Sequence, residues 1–136
     1  MKTSELTGAH LDYWVAKSAS IEVRYLDSKT KSAAPHFAQG ADAAVKDSDG
    51  FWETFAPSVD WPQGGPIIER ERINLLETAK WPTPGVPPQQ WRWTASLEGD
   101  TSYYGFEGKR QEGPTPLIAA MRAYVASKFG EEVPDA

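Results

Sequence analysis

The one constellation in this chain that could carry catalysis is a set of carboxylates. Asp60, Glu69 and Glu71 lie close together in the sequence, a set that could hold Mg²⁺ or divide into an acid and a base. Other chemistries are poorly supplied. The chain has no cysteine, which excludes a disulfide framework, a thiolate metal site and a cysteine nucleophile. Its two histidines are His10, on or beside an expected helix, and His36, in a polar stretch. A catalytic imidazole needs an orienting partner within hydrogen-bond reach, and a lone histidine in either setting reads as a surface side chain. No nucleophile elbow, phosphate loop or zinc signature occurs, and Gly64-Gly65 lacks the Lys-Ser/Thr that would follow in a phosphate loop. The carboxylates also have a plainer explanation. On a strand, Glu69 and Glu71 would share one face and Arg70 and Arg72 the other, making a charged edge that discourages sheet-to-sheet pairing. No catalytic residue, metal ligand or cofactor is therefore assigned. A Mg-dependent hydrolase or nucleotide-acting enzyme using Asp60, Glu69 and Glu71 is the alternative.

Binding is the favoured class, and tryptophan is the reason. Leu, Ile, Val and Phe together make up only 24 of 136 residues, below the roughly one-fifth that accompanies disorder when net charge is high. The net charge is only −5, and six Trp and five Tyr replace the missing aliphatic volume, each large aromatic burying about 150–250 Å². So small a chain cannot bury all six Trp fully, and exposed aromatics rimmed by polar groups mark recognition surfaces. Trp61, beside Asp60 and followed by Gly64-Gly65, is the expected centre of the site, with Glu69 and Arg70 at its margin. In this expectation Gly64-Gly65-Pro66 forms a tight turn whose bare backbone lets a ligand approach. The structural alternative is that Trp61 plugs the end of the core and the glycines only turn the chain.

The elements that must position these residues can be read from the pattern. Thr7 has the place of a helix N-cap, with Leu6 and Leu11 at the spacing of a hydrophobic staple; Leu11, Trp14 and Val15 then mark a helix ending near Lys17. Alternation in Ile21–Tyr25 predicts a strand. Residues 27–50 are polar and predict a mobile insertion with a short helical turn at Ala41–Lys46. Ile67-Ile68 lead into a strand or short helix. Trp81–Pro88 is a proline-rich loop, and Trp91, Trp93, Ala95 and Leu97 alternate as a strand, with Tyr103–Phe106 as its hairpin partner. Near the end, Thr115 caps a helix, Pro116 takes its first position and Gly130 its C′ position, giving a helix over 116–129. The expected fold is α+β: one domain over 1–136, with a small antiparallel sheet and an N-terminal and a C-terminal helix packed on it.

Charge and hydropathy narrow the partners. Residues 1–50, 51–98 and 99–136 carry net charges of −1, −2 and −2, so no basic face is hidden by the average and duplex nucleic acid is not expected. No apolar run approaches the roughly 20 residues of a membrane span, and the opening residues lack the apolar segment of an export signal. A cytoplasmic chain is predicted, with no membrane partner. Its oligomeric state is open.

Three separated blocks carry a resemblance. Lys2–Gly8 with Leu11–Lys17, Asp60-Trp61 with Gly64–Glu71, and Gly113–Arg122 resemble, in this order, the phage NinX-like family. They cover most of the chain outside 27–50 and the proline loop. The resemblance implies a protein carried by tailed phages and prophages, working in the host bacterial cell, and an accessory role in binding a host protein or small host molecule. It brings no activity, cofactor or catalytic residue.

Overall fold

The computed structural model describes residues 1–26, 42–77, 93–97 and 111–134. Helix α1 spans Gly8–Ser18, α2 Trp61–Glu71 and α3 Pro116–Phe129. Strands β1 (Val23–Leu26), β2 (Asp42–Lys46) and β3 (Trp52–Thr54) form one antiparallel sheet in the order β1-β2-β3. Strands β4 (Ile73–Glu77), β5 (Trp93–Leu97) and β6 (Gln111–Gly113) form a second, in the order β4-β5-β6. The α+β class and the two terminal helices are as expected from the sequence. The strands, however, make two small sheets rather than one.

The division follows from where the helices lie. Helix α1 packs on β1 and β2, α3 packs on all three strands of the second sheet, and the two helices pack on each other. Thus α3 stands between α1 and a sheet, with α2 against it as well. A helix enclosed in this way cannot keep a polar face, and Leu117 and every residue from Ala119 to Ala126 are buried. Its alanines let the layers approach, and Leu6, Leu11, Trp14, Val15, Ile67, Ile73, Met121 and Tyr124 fill the core around them.

Both ends of the layered stack are pinned by local chemistry. Thr7 occupies the N-cap position of α1 without a side-chain cap bond; Leu6 and Leu11, both fully buried, supply the expected staple instead. For α3 the Thr115 hydroxyl accepts the Ile118 N–H at 3.1 Å. Thr115→Ala is expected to lower stability by about 1 kcal/mol in a urea titration, and no loss would mean that the cap is idle. Arg122, buried in α3, donates from Nε to Leu6 O at 2.8 Å and from Nη1 to Glu112 O at 2.7 Å, tying the chain start and β6 to the central helix. The first and last described segments also meet: Thr3 N–H donates to Glu131 O and Val133 N–H to Met1 O.

Two local expectations are corrected. Ala41–Lys46 was to hold a helical turn; residues 42–46 are instead the central strand of the first sheet, with Ala43, Ala44 and Val45 all buried. Small and β-branched side chains suit a strand covered by α1. Asp47 then closes the β2–β3 hairpin by accepting from Asp49 N–H and Phe51 N–H, so residues 42–50 belong to the sheet. The remainder of the 27–50 segment, with Phe37, lies outside the described residues, as do the proline-rich 81–88 stretch, Trp91 and the Tyr103–Phe106 hairpin partner. The second correction concerns Gly64-Gly65-Pro66, which is no turn: all three residues lie inside α2.

Candidate functional site

Helix α2 begins directly at Trp61, with Asp60 as its N-cap and Pro62 in its first turn. Proline is tolerated there because first-turn amides have no intrahelical partner. The two glycines act separately. A Cβ on Gly64 would strike the backbone oxygen of Pro57 and come within 2.7 Å of Leu117 Cδ2, so Gly64 sets how closely α2 approaches α3 and the turn before it. Gly65 precedes Pro66, and a side chain there would crowd the proline ring in helical geometry. A Cβ on Gly65 would lie 4.0 Å from Cε3 of the Trp61 ring, an ordinary contact.

The result is a pocket of about 200 Å³ where α2 and α3 both start, lined by Ser58, Val59, Trp61, Thr115, Pro116 and Leu117. Trp61 is 52% exposed and Val59 69%. The other described tryptophans are more covered. Trp14 is buried edge-on to Phe129, Trp93 packs against the core, and Trp52 is half-buried, with the Arg24 guanidinium 4.3 Å from its ring centre. Trp81 and Trp91 lie outside the described residues.

The remaining candidates do not join this pocket. Glu69, Arg70 and Glu71 occupy the far end of α2, about 13–17 Å along the axis from Asp60 at 1.5 Å per residue. On a helix Glu69 and Glu71 point about 200° apart rather than sharing a face. Glu71 accepts from Arg70 Nε at 3.2 Å, a contact that raises the Arg70 pKa, with help from the Tyr124 hydroxyl. Burial and the Glu71 charge push the Tyr124 phenol up in turn. Among the described residues no group of three or more His, Asp or Glu could hold a metal ion. His10 is exposed on α1, its ring 4.7 Å from that of Tyr25.

One polar pair was not anticipated. Asp12, 4% exposed on α1, accepts the Ser58 N–H at 2.9 Å and thereby fixes the turn that forms one wall of the pocket. Burial raises its carboxyl to about 6, against the Ser58 hydroxyl, which lies nearby without reaching hydrogen-bond geometry, and the Ser58 N–H; the Asp42 charge adds to the rise. A signal for it exists in the sequence, since Asp12 lies three and four residues before Val15 and Ala16 on the buried side of α1.

The family model described as Bacteriophage P22, NinX matches residues 2–128. The chain belongs to this NinX family. The match runs from the residues before α1 through α2 to the last turn of α3, so it includes the pocket and all three blocks that carried the resemblance. Membership identifies a phage accessory protein. No curated protein matches the chain.

Proposed function

We propose that this NinX-family protein works by binding, not by catalysis, and that it engages a host protein or small host molecule through the pocket between the starts of α2 and α3. The observation that carries this reading is the half-exposed indole of Trp61 over a pocket with an apolar lining of Val59, Pro116 and Leu117. An aromatic anchor beside a small cavity is the usual centre of a recognition surface. Asp60 and Gly64-Gly65 adjoin the lining on α2, whereas Glu69 and Arg70 lie at the far end of the helix, outside it. The host cytoplasm is the proposed setting, which suits a chain without cysteine. No helix among the described residues is long and apolar enough to cross a membrane.

The test compares wild type and Trp61→Ala in capture from host lysate, read by proteomics and by metabolite analysis. Because Trp61 is exposed, the substitution is expected to change stability by only about 0.5 kcal/mol while removing a defined set of captured species. Identical sets from the two proteins would show that the pocket is not the binding surface.

A further inference from the structure

We infer that the partner presents a basic side chain, arginine or lysine within an apolar polypeptide segment, to Trp61 and Asp60. The inference rests on the binding reading above and adds the chemistry of what binds. The stretches that line the pocket, 58–61 and 115–117, carry a single charged residue, Asp60, and no Lys or Arg. The lining itself is uncharged. A cation that entered would therefore meet the Asp60 carboxylate next to the lining and the Trp61 indole in it. An indole face attracts cations, more strongly when water is displaced, and the aliphatic stem of Arg or Lys can lie on Val59, Pro116 and Leu117. The carboxylate of Asp60 is not engaged in capping α2.

The two helix starts would ordinarily favour an anion. Here their donors are largely occupied. Pro62 and Pro116 have no N–H; Gln63 and Gly64 donate to Asp60 O, Ala119 to Thr115 O and Ile118 to the Thr115 hydroxyl. Of the four leading amides on each helix, those of Trp61 and Leu117 are left, which is thin provision for a phosphate or carboxylate.

The inference can be tested with three acetylated, amidated tripeptides, Pro-X-Leu, in which X is arginine, its neutral isostere citrulline, or glutamate. Binding is read from the Trp61 indole N–H and the Gly64 and Thr115 amides in ¹H–¹⁵N spectra. The arginine peptide should shift these signals with roughly millimolar affinity, citrulline should bind at least about fivefold more weakly, and added salt should weaken only the arginine peptide. Asp60→Asn keeps an equally good cap residue and should reduce arginine binding severalfold without altering citrulline binding. Equal binding of arginine and citrulline, tighter binding of glutamate, or no response to any peptide overturns the basic partner. The binding reading is judged separately, by whether Trp61→Ala changes what is captured from lysate.

Discussion

Replacing Asp12 by Asn is expected to remove a pH dependence of stability worth about 3 kcal/mol, the cost of a carboxyl moved some two units at about 1.4 kcal/mol per unit. In the folded chain the carboxyl titrates at about 6, against 3.8 as its ordinary value. Between these values the folded state holds a proton that the unfolded state has lost, so wild-type stability falls as pH rises through this window. Below it both states are protonated and the cost vanishes; above it the full cost remains. Asn can still accept the Ser58 N–H through its Oδ1 but carries no charge. Its extra N–H donors add a constant offset, which does not depend on pH. The quantity to measure is therefore the difference in unfolding free energy between wild type and Asp12→Asn, from urea titrations between about pH 4 and 7.5. That difference should move in favour of the variant by about 3 kcal/mol across the window. A flat difference, or a carboxyl ¹³C titration centred near 4, would show that the side chain is not buried as described.

How much of this was legible in the sequence depends on whether local or tertiary forces decided each element. Helix α3 was readable to the residue because its signals are local: Thr115, Pro116 and Gly130 act through backbone geometry within a few bonds. The staple of Leu6 and Leu11 around α1 is local too. Strand β2 was not readable, because Asp42-Ala43-Ala44-Val45-Lys46 has helical composition by propensity and becomes a strand only through pairing with β1 and β3. The separation into two sheets was likewise hidden, since it depends on α3 being covered on all sides. For the candidate site, Trp61 and Asp60 stand out by type alone, and the structure places the indole, 52% exposed, at the start of α2. Glu69 and Arg70 join them by nearness in the sequence alone, and the single helix over Trp61–Glu71 carries them to its other end. Asp12 is masked by its type, since a charged residue on an amphipathic helix ordinarily faces water, whereas this one is buried.

The segment 60–71 provides the sharpest contrast between the two views, and two substitutions with opposite signs decide it. In a turn, Pro66 would stabilise the fold by fixing its own φ, and Pro66→Ala would cost up to about 1 kcal/mol. Inside α2 the same residue lacks the N–H that would bond the Pro62 carbonyl and crowds that carbonyl with its ring. Pro66 is also exposed, so no packing is lost by trimming it. Pro66→Ala is therefore expected to stabilise the protein by about 1–3 kcal/mol. Gly64→Ala should do the reverse. Alanine is worth about 1 kcal/mol more than glycine in a helix interior, but its Cβ would meet the Pro57 carbonyl and Leu117 Cδ2. The carbonyl is backbone in the turn held by Asp12, and Leu117 is buried, so α2 must shift as a body. Overpacking of this kind costs about 1–3 kcal/mol, and against a helical gain of about 1 kcal/mol the net loss is up to about 2 kcal/mol. Because the shift would carry Trp61 with it, the variant should also change the indole N–H resonance and weaken whatever the pocket binds. Thermal or urea unfolding of the two variants gives both signs in one experiment. Destabilisation by Pro66→Ala together with tolerance of Gly64→Ala would restore the turn and dissolve the pocket, since Trp61 lines it only as the first residue of a helix that lies this close to α3.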